Sequence, residues 1–363
     1  MRLTAPLLAL VLLSCGGEAV SGSHPTGSPA SPARTTSPTA SPVLPGVLPV
    51  GIVVKDFLVE GGPTYTVSLV GVDGRVAATA TGAKRNRPAG TLVQMPNLSA
   101  SDSRLYYLDG DSKVMFLRPD GTTGAATNIP VDSNSAAVFA VSPDDTRIAV
   151  AIITYPYPVK TRIYVENLAG GGNHIELFSS GTVMEWPVGW HQEHLVIAVG
   201  INAQPQNAYE GFAYGYNGYH VADATTGTRI STVCNGYTAF NPPVPAGTVC
   251  GSNTSTSYEV SDWSGTARPI PADAGCAGGA ISPDGVLIAN CQGSPRTVAL
   301  VARDGSITPT SYGGIPQGWI DPHHVVIRSE TVVSSLGILD TRSLVLTQAH
   351  AQGFFAGAVP GGL

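Results

Sequence analysis

Five cysteines, eight histidines and one tyrosine-rich stretch are where this 363-residue chain could do chemistry. Cys234, Cys250, Cys276 and Cys291 lie in its second half. An even number without a Cys-x-x-Cys pair argues for disulfides and against a zinc site, which needs closely spaced ligands. The stretch Gly275 to Cys291, GCAGGAISPDGVLIANC, reads as two short apolar strands joined by Ser282-Pro283-Asp284-Gly285. With Ile281 and Val286 flanking that turn, antiparallel pairing matches residues whose numbers sum to 567. That sets Cys276 across from Cys291, within disulfide reach, and leaves Cys234 for Cys250.

The histidines point to structure. His191/His194 and His323-His324 each follow a Gly-Trp pair and precede an apolar strand, and spacing brings no third ligand to either. They read as turn and strand-entry residues, so neither metal nor cofactor is expected. Trp190 and Trp319 occupy matching positions and read as packing between repeats. Asp109-Gly110-Asp111-Ser112 has oxygen-rich spacing but lacks the further acidic positions and bidentate Glu of a calcium loop, and reads as a turn.

The segment from Asn202, NAQPQNAYEGFAYGYNGY, carries Tyr209, Phe212, Tyr214, Tyr216 and Tyr219. Exposed in an insertion, these rings form a contact surface for a protein or a glycan, because flat aromatics bring large area at small entropic cost. Alternating on a strand, they are packing residues. Both readings stand. The Gly-x-Ser-x-Gly, His-Glu-x-x-His and phosphate-loop signatures are missing from the sequence. A lyase or hydrolase site converging on a channel from separate repeats is the enzymatic alternative, and spacing does not reveal such a site.

The elements that must position these residues are short strands. Only 12% of residues are charged, while Gly (43) and Pro (29) are abundant, as suits many strands joined by tight turns. No long window has helical periodicity. The net charge of −6 is spread out, with no basic block to hold phosphates, so nucleic acid is not an expected partner.

The first fourteen residues carry Arg2 and an apolar run from Leu3 to Leu13, a signal-peptide core too short to cross a bilayer. The run ends in Leu12-Leu13-Ser14-Cys15-Gly16, which resembles the bacterial lipobox. That resemblance implies cleavage before Cys15, its lipidation, and attachment to the cell membrane on the extracytoplasmic side. Residues 15–49, crowded with Ser, Thr, Pro, Ala and Gly, cannot bury enough apolar surface to order themselves and read as a disordered stalk.

From residue 50 to 363 two hairpins alternate. One has a polar turn before a strongly apolar strand, as in AVSPDDTRIAVA from Ala140, VGWHQEHLVIAV from Val188, GAISPDGVLIA from Gly279 and QGWIDPHHVVI from Gln317. The other closes near Gly74, Gly121, Gly170, Gly227, Gly265, Gly305 and Arg342, a period of about 45 residues that fits four-stranded propeller blades. The missing first hairpin is split between the chain ends. Gly353-FFAGAVPGG resembles an innermost strand plus its turn, and VGIVVKDF from Val50 resembles the next strand of the blade. The expected fold is all-β: a seven-bladed propeller of four-stranded antiparallel blades, closed by N- and C-terminal strands in one blade.

The Ser142-Pro143-Asp144-Asp145 and Ser282-Pro283-Asp284-Gly285 turns resemble those of TolB-type and WD-repeat-like bacterial propellers. The Gly-Trp copies depart from that pattern. The resemblance implies a fold and a habit of binding other proteins, and transfers no catalytic residue. The sequence therefore reads as a lipid-anchored, non-enzymatic binding scaffold of the cell envelope, with a protein or glycan partner.

Overall fold

The computed structural model describes residues 48–57, 62–86, 97–156, 158–200, 214, 217–236, 241–251, 258–270, 279–293, 295–332 and 334–363. All belong to one compact unit, Ala40–Leu363. The signal segment, Cys15 and the stalk up to residue 47 lie outside the described residues.

Strands dominate because each hairpin repeats the same local logic. Asp or Ser opens a turn, a residue at positive φ reverses the chain, and β-branched residues come next. Gly74, Gly121, Gly170, Gly227, Gly265 and Gly305 all sit at positive φ, and Leu344 takes that role in the last copy. The strands form seven antiparallel sheets, numbered as blades 1 to 7. Blades 2, 3, 4, 6 and 7 are four consecutive strands each. Blade 5 has three strands among the described residues, Thr248–Gly251, Tyr258–Ser261 and Ala267–Pro269. Blade 1 orders Phe354–Val359 beside Val50–Lys55, then Thr64–Gly71 and Val76–Ala83. Val50 pairs with Val359 and Val54 with Phe354, so the two ends of the repeat region meet in one sheet and close the ring as expected.

Burial falls from the channel outward. In blade 3 the innermost strand Ser135–Val141, SAAVFAV, is buried throughout. The next strand, Arg147–Thr154, is apolar on both sides because neighbouring blades cover it. The outermost strands alternate, as at Thr123–Asn128 of blade 2. Innermost strands of blades 1 and 2, 2 and 3, 3 and 4, 6 and 7, and 7 and 1 lie against one another.

Two details correct the sequence reading. Ala280 pairs with Ala289 and Ile281 with Ile288, so the register of that hairpin sums to 569, two residues from expectation. Ser282 causes the shift: its N–H donates to Leu287 O (2.8 Å) while its Oγ accepts from Leu287 N (3.0 Å), so Val286 stays in the turn. Cys291 is disulfide-bonded, and Cys276 lies outside the described residues. The second correction concerns the last residues. Phe354–Val359 is an innermost strand, but residues 360–363 form no turn back along it. They run on across the neighbouring blades.

The Cys234–Cys250 bridge is present and joins the end of blade 4 to blade 5. Trp263 supports the same joint: its ring meets Tyr219 edge-on at 5.7 Å, and its carbonyl accepts from Ser231 Oγ at 2.6 Å.

Candidate functional site: the turn face of the channel

Each innermost strand ends, and each second strand begins, on one face of the ring, which also carries every turn between third and fourth strands. We call it the turn face. Connections between second and third strands, and between blades, lie on the opposite, connector face. Innermost strands are short and mostly apolar; among their described residues the ionisable side chains are Glu185, His191 and Asp321. Among the described residues no group of three or more His, Cys, Asp or Glu is placed to hold a metal ion.

On the turn face a chain of polar contacts links blades 2, 3 and 4. Asp145 is pushed to positive φ at the tip of the blade 3 turn, which aims its carboxylate back at blade 2. There it accepts from Ser103 Oγ at 2.6 Å and Tyr106 OH at 2.8 Å, and pairs with Arg104 at 3.0 Å. The Arg104 guanidinium also stacks 5.0 Å from the centre of Phe116. Burial, with the Asp145 hydrogen bond and charge beside it, pushes the Tyr106 hydroxyl well above the ordinary phenol range. Asp102 is raised as well, by burial first and then by Asp145 and Asp144. From blade 3, Arg147 reaches Glu193 of blade 4 at 2.7 Å and lies 4.7 Å above the ring of Trp190.

Residues 360–363 cross this surface. Gly361 N donates to Ser101 O (3.0 Å) in blade 2 and Leu363 N to Trp190 O (2.8 Å) in blade 4. Gly362 lies between them, over Pro143 of blade 3. His191 Nδ1 donates to Leu363 O at 2.8 Å; burial lowers the affinity of that ring for a second proton, so the neutral Nδ1–H form makes the bond. The Leu363 side chain packs against the core of blades 3 and 4. Gly189 makes this possible: a Cβ there would stand 2.5 Å from Leu363 Cδ1.

The sequence missed this arrangement. Its only trace was Pro-Gly-Gly after an innermost strand, which the repeat pattern assigned to a turn. The pattern did identify Trp190 and Trp319 as packing residues. Both are buried, and each donates its indole N–H to the preceding blade, Trp190 to Ala140 O (3.1 Å) and Trp319 to Ala280 O (2.9 Å). His324 is a turn residue, bonded through Nδ1 to the Asp321 carboxylate at 2.8 Å. Asp109 and Asp111 are likewise spent on structure: they accept from Ala83 N (2.8 Å) and from both the backbone and side chain of Asn86 (2.6 and 2.7 Å), tying blade 1 to blade 2.

The aromatic surface needs correction. Tyr214 and Tyr219 are 6% and 0% exposed. Tyr219 belongs to the core of blades 3 and 4, whereas Tyr214 joins the core cluster of blades 1 and 2. Burial drives both hydroxyls far above the phenol range. Two members of the stretch thus serve as packing residues on the connector face; Tyr209, Phe212 and Tyr216 lie outside the described residues.

No protein-family model matches the chain, and no curated protein matches it. Solved structures do. A chain of the crystal structure of the mitotic checkpoint complex is 12% identical with a TM-score of 0.43, over 74% of this chain and 78% of that one. Kluyveromyces lactis Hsv2p is 8% identical with a TM-score of 0.44, over 68% and 75%. A Mycobacterium tuberculosis puromycin-hydrolyzing peptidase is 14% identical with a TM-score of 0.49, over 84% of this chain and 53% of that one. The architecture itself defines the class: this is a seven-bladed β-propeller.

Proposed function

We propose that the protein is an exported propeller, lipid-anchored through Cys15 on the stalk of residues 15–49, whose turn face docks a protein partner at the cell envelope. The observation that carries the reading is the rim of that face. Leu48, Val76, Ile230, Val286, Ile307 and Val345 are all at least 40% exposed, and all sit where strands begin on the turn face. They lie on blades 1, 4, 6 and 7, on the same face as the charged chain of Asp102, Arg104, Asp144, Asp145 and Arg147 on blades 2 and 3. Large aliphatic side chains held open by rigid strands, on one face with polar groups already fixed by hydrogen bonds, are what a protein interface needs. The TolB-like turns of blades 3 and 6 support the same reading. The exposed side chains of this rim are aliphatic rather than aromatic, and the partner is taken to be protein.

The test uses the full chain in a bacterial host. It should sediment with membranes, and Cys15→Ser should release it. A partner cross-linked to the released form should be lost with Val286→Lys plus Ile307→Lys on the turn face and kept with Val332→Lys on the connector face. Loss through Val332→Lys alone would place docking on the wrong face, and a Cys15→Ser chain still in the membrane fraction would remove the anchor.

A further inference from the structure

Residues 360–363 leave blade 1 and are held by three others, although nothing in closing the ring requires them. Closure is complete at the Val50–Val359 pair. The last four residues are held as a ligand is held: two backbone N–H groups donate to the carbonyls of Ser101 and Trp190, one carbonyl accepts from His191, and one aliphatic side chain fills a notch. Two of the positions select a residue type. A Cβ at position 361 would stand 2.1 Å from Ala100 Cβ and 2.9 Å from its carbonyl carbon, so only glycine passes there. Position 362 runs past Pro143, where a Cβ would meet the ring at 3.4 Å, an ordinary contact that admits a small side chain. Position 363 must carry a branched aliphatic group of a size to fill the space that Gly189 leaves open. Gly189 has no unusual φ that would demand glycine, so its missing side chain serves space.

We infer that Ser101, Pro143, Gly189, Trp190 and His191 form a groove for an extended Gly-x-aliphatic segment of a partner protein, in which x is a small residue, and that residues 360–363 occupy it in cis as a displaceable strap. The inference rests on the turn face being the docking surface and adds the chemistry of the segment it accepts. It also adds a regulatory step. A tethered segment competes at an effective concentration in the millimolar range, so a partner segment must displace it or find it already released. The groove offers main-chain acceptors for affinity and one apolar notch for specificity, the division of labour common in peptide recognition.

The test is fluorescence polarisation with a labelled, amidated Ala-Val-Pro-Gly-Gly-Leu peptide, the sequence of residues 358–363. The full chain and its Leu363→Ser variant are compared, with thermal unfolding to confirm that both are folded. Emptying the notch in cis should strengthen peptide binding at least about tenfold. Adding Gly189→Ala to Leu363→Ser should abolish that gain, because the methyl group fills the notch whatever brings the leucine. Equal affinity for both chains would show that the strap does not compete. Absence of binding to folded Leu363→Ser would show that the segment is held only by its tether. Either result overturns the inference while leaving the aliphatic rim, tested by Val286→Lys plus Ile307→Lys, to stand or fall separately.

Discussion

The joint between blades 3 and 4 and the joint between blades 6 and 7 are built on the same plan and finished differently. In both, a Ser-Pro-Asp turn is followed one blade later by Pro-x-Gly-Trp, at Pro187 to Trp190 and at Pro316 to Trp319. In both, the ladder slips by one residue between the proline and the glycine. The tryptophan then donates to the alanine carbonyl two residues before the serine, Ala140 or Ala280. The glycine leaves a notch each time. At Gly318 it is filled by Phe355, a residue of the adjoining blade 1 strand that cannot leave without opening the ring. At Gly189 it is filled by Leu363, at the end of a segment with no place in any sheet. One notch is part of the wall and the other is a socket.

The largest expected effect tests whether the joints are equivalent. Trp190→Ala and Trp319→Ala should each destabilise the propeller by about 3–5 kcal/mol, through lost packing and a cavity. Both indoles are almost fully buried, so urea unfolding should give losses that agree within about 1 kcal/mol, the scatter that context alone brings. A much smaller loss at Trp190 would mean that the blade 3–4 joint holds by its surface contacts instead, and the comparison would break there.

A smaller effect separates the finishes. Arg147 lies over Trp190 at 4.7 Å and bonds Glu193 at 2.7 Å, whereas the matching residue of blade 6 is Leu287, packed with the core that holds Trp319. Glu193 is 83% exposed. An ion pair with so wet a partner contributes roughly 0–1 kcal/mol, and the cation–π contact adds roughly 0.5–1 kcal/mol. Arg147→Leu copies the blade 6 solution and regains apolar contact, so the net change should stay within about 1 kcal/mol. Unfolding midpoints in low and high salt check this: the native chain should lose a little stability on adding salt, and the variant less. A loss of several kcal/mol would show that the arginine is structurally required.

These joints also show how far the sequence speaks. Blade count, ring closure and the packing role of both tryptophans were legible because hairpins repeat: periodicity reports what each blade does in common with the others. The Cys234–Cys250 bridge was legible by elimination. The strap was not, because Gly361, Gly362 and Leu363 owe their meaning to Ala100, Pro143 and Gly189 in three other blades, and no repeat encodes a contact made once. Tyr214 and Tyr219 stayed undecided between contact surface and packing for the related reason that an insertion seen in isolation looks exposed, while its residues pack on cores that the sequence does not place beside it. The register of the hairpin around Ser282 failed over one hydroxyl, since a serine that takes over a ladder hydrogen bond shifts the pairing by two residues, and the turn centre by one, without changing the apolar pattern.

The smallest expected effect lies at the outer edge of the same two hairpins. Blade 6 closes its third-to-fourth-strand turn tightly, with Asp304 accepting from Ser306 N at 2.9 Å and Oγ at 2.7 Å. Blade 3 uses a longer turn in which His174 stands between Glu166 at 3.0 Å and Glu176 at 2.9 Å, with Tyr164 stacked on its ring at 4.5 Å. Arg162 also pairs with Glu176, at 3.5 Å. The hydrogen bonds to Glu166 and then Glu176 raise the histidine above its ordinary range. A group whose folded pKa exceeds the unfolded value of about 6.5 gives its full stabilisation below that pH and loses it as pH rises through the folded value. The stability of the native chain relative to His174→Gln should therefore be greater at roughly pH 5.5 than at roughly pH 8.5. The difference should be slight, because the ring is 40% exposed and water screens its charge. Replacing Asp304 by Asn in blade 6 should leave the slope over that interval unchanged, since no histidine takes part in its turn. If His174→Gln keeps the slope of the native chain, the pH response belongs elsewhere, and blade 3 differs from blade 6 in the length of its turn alone.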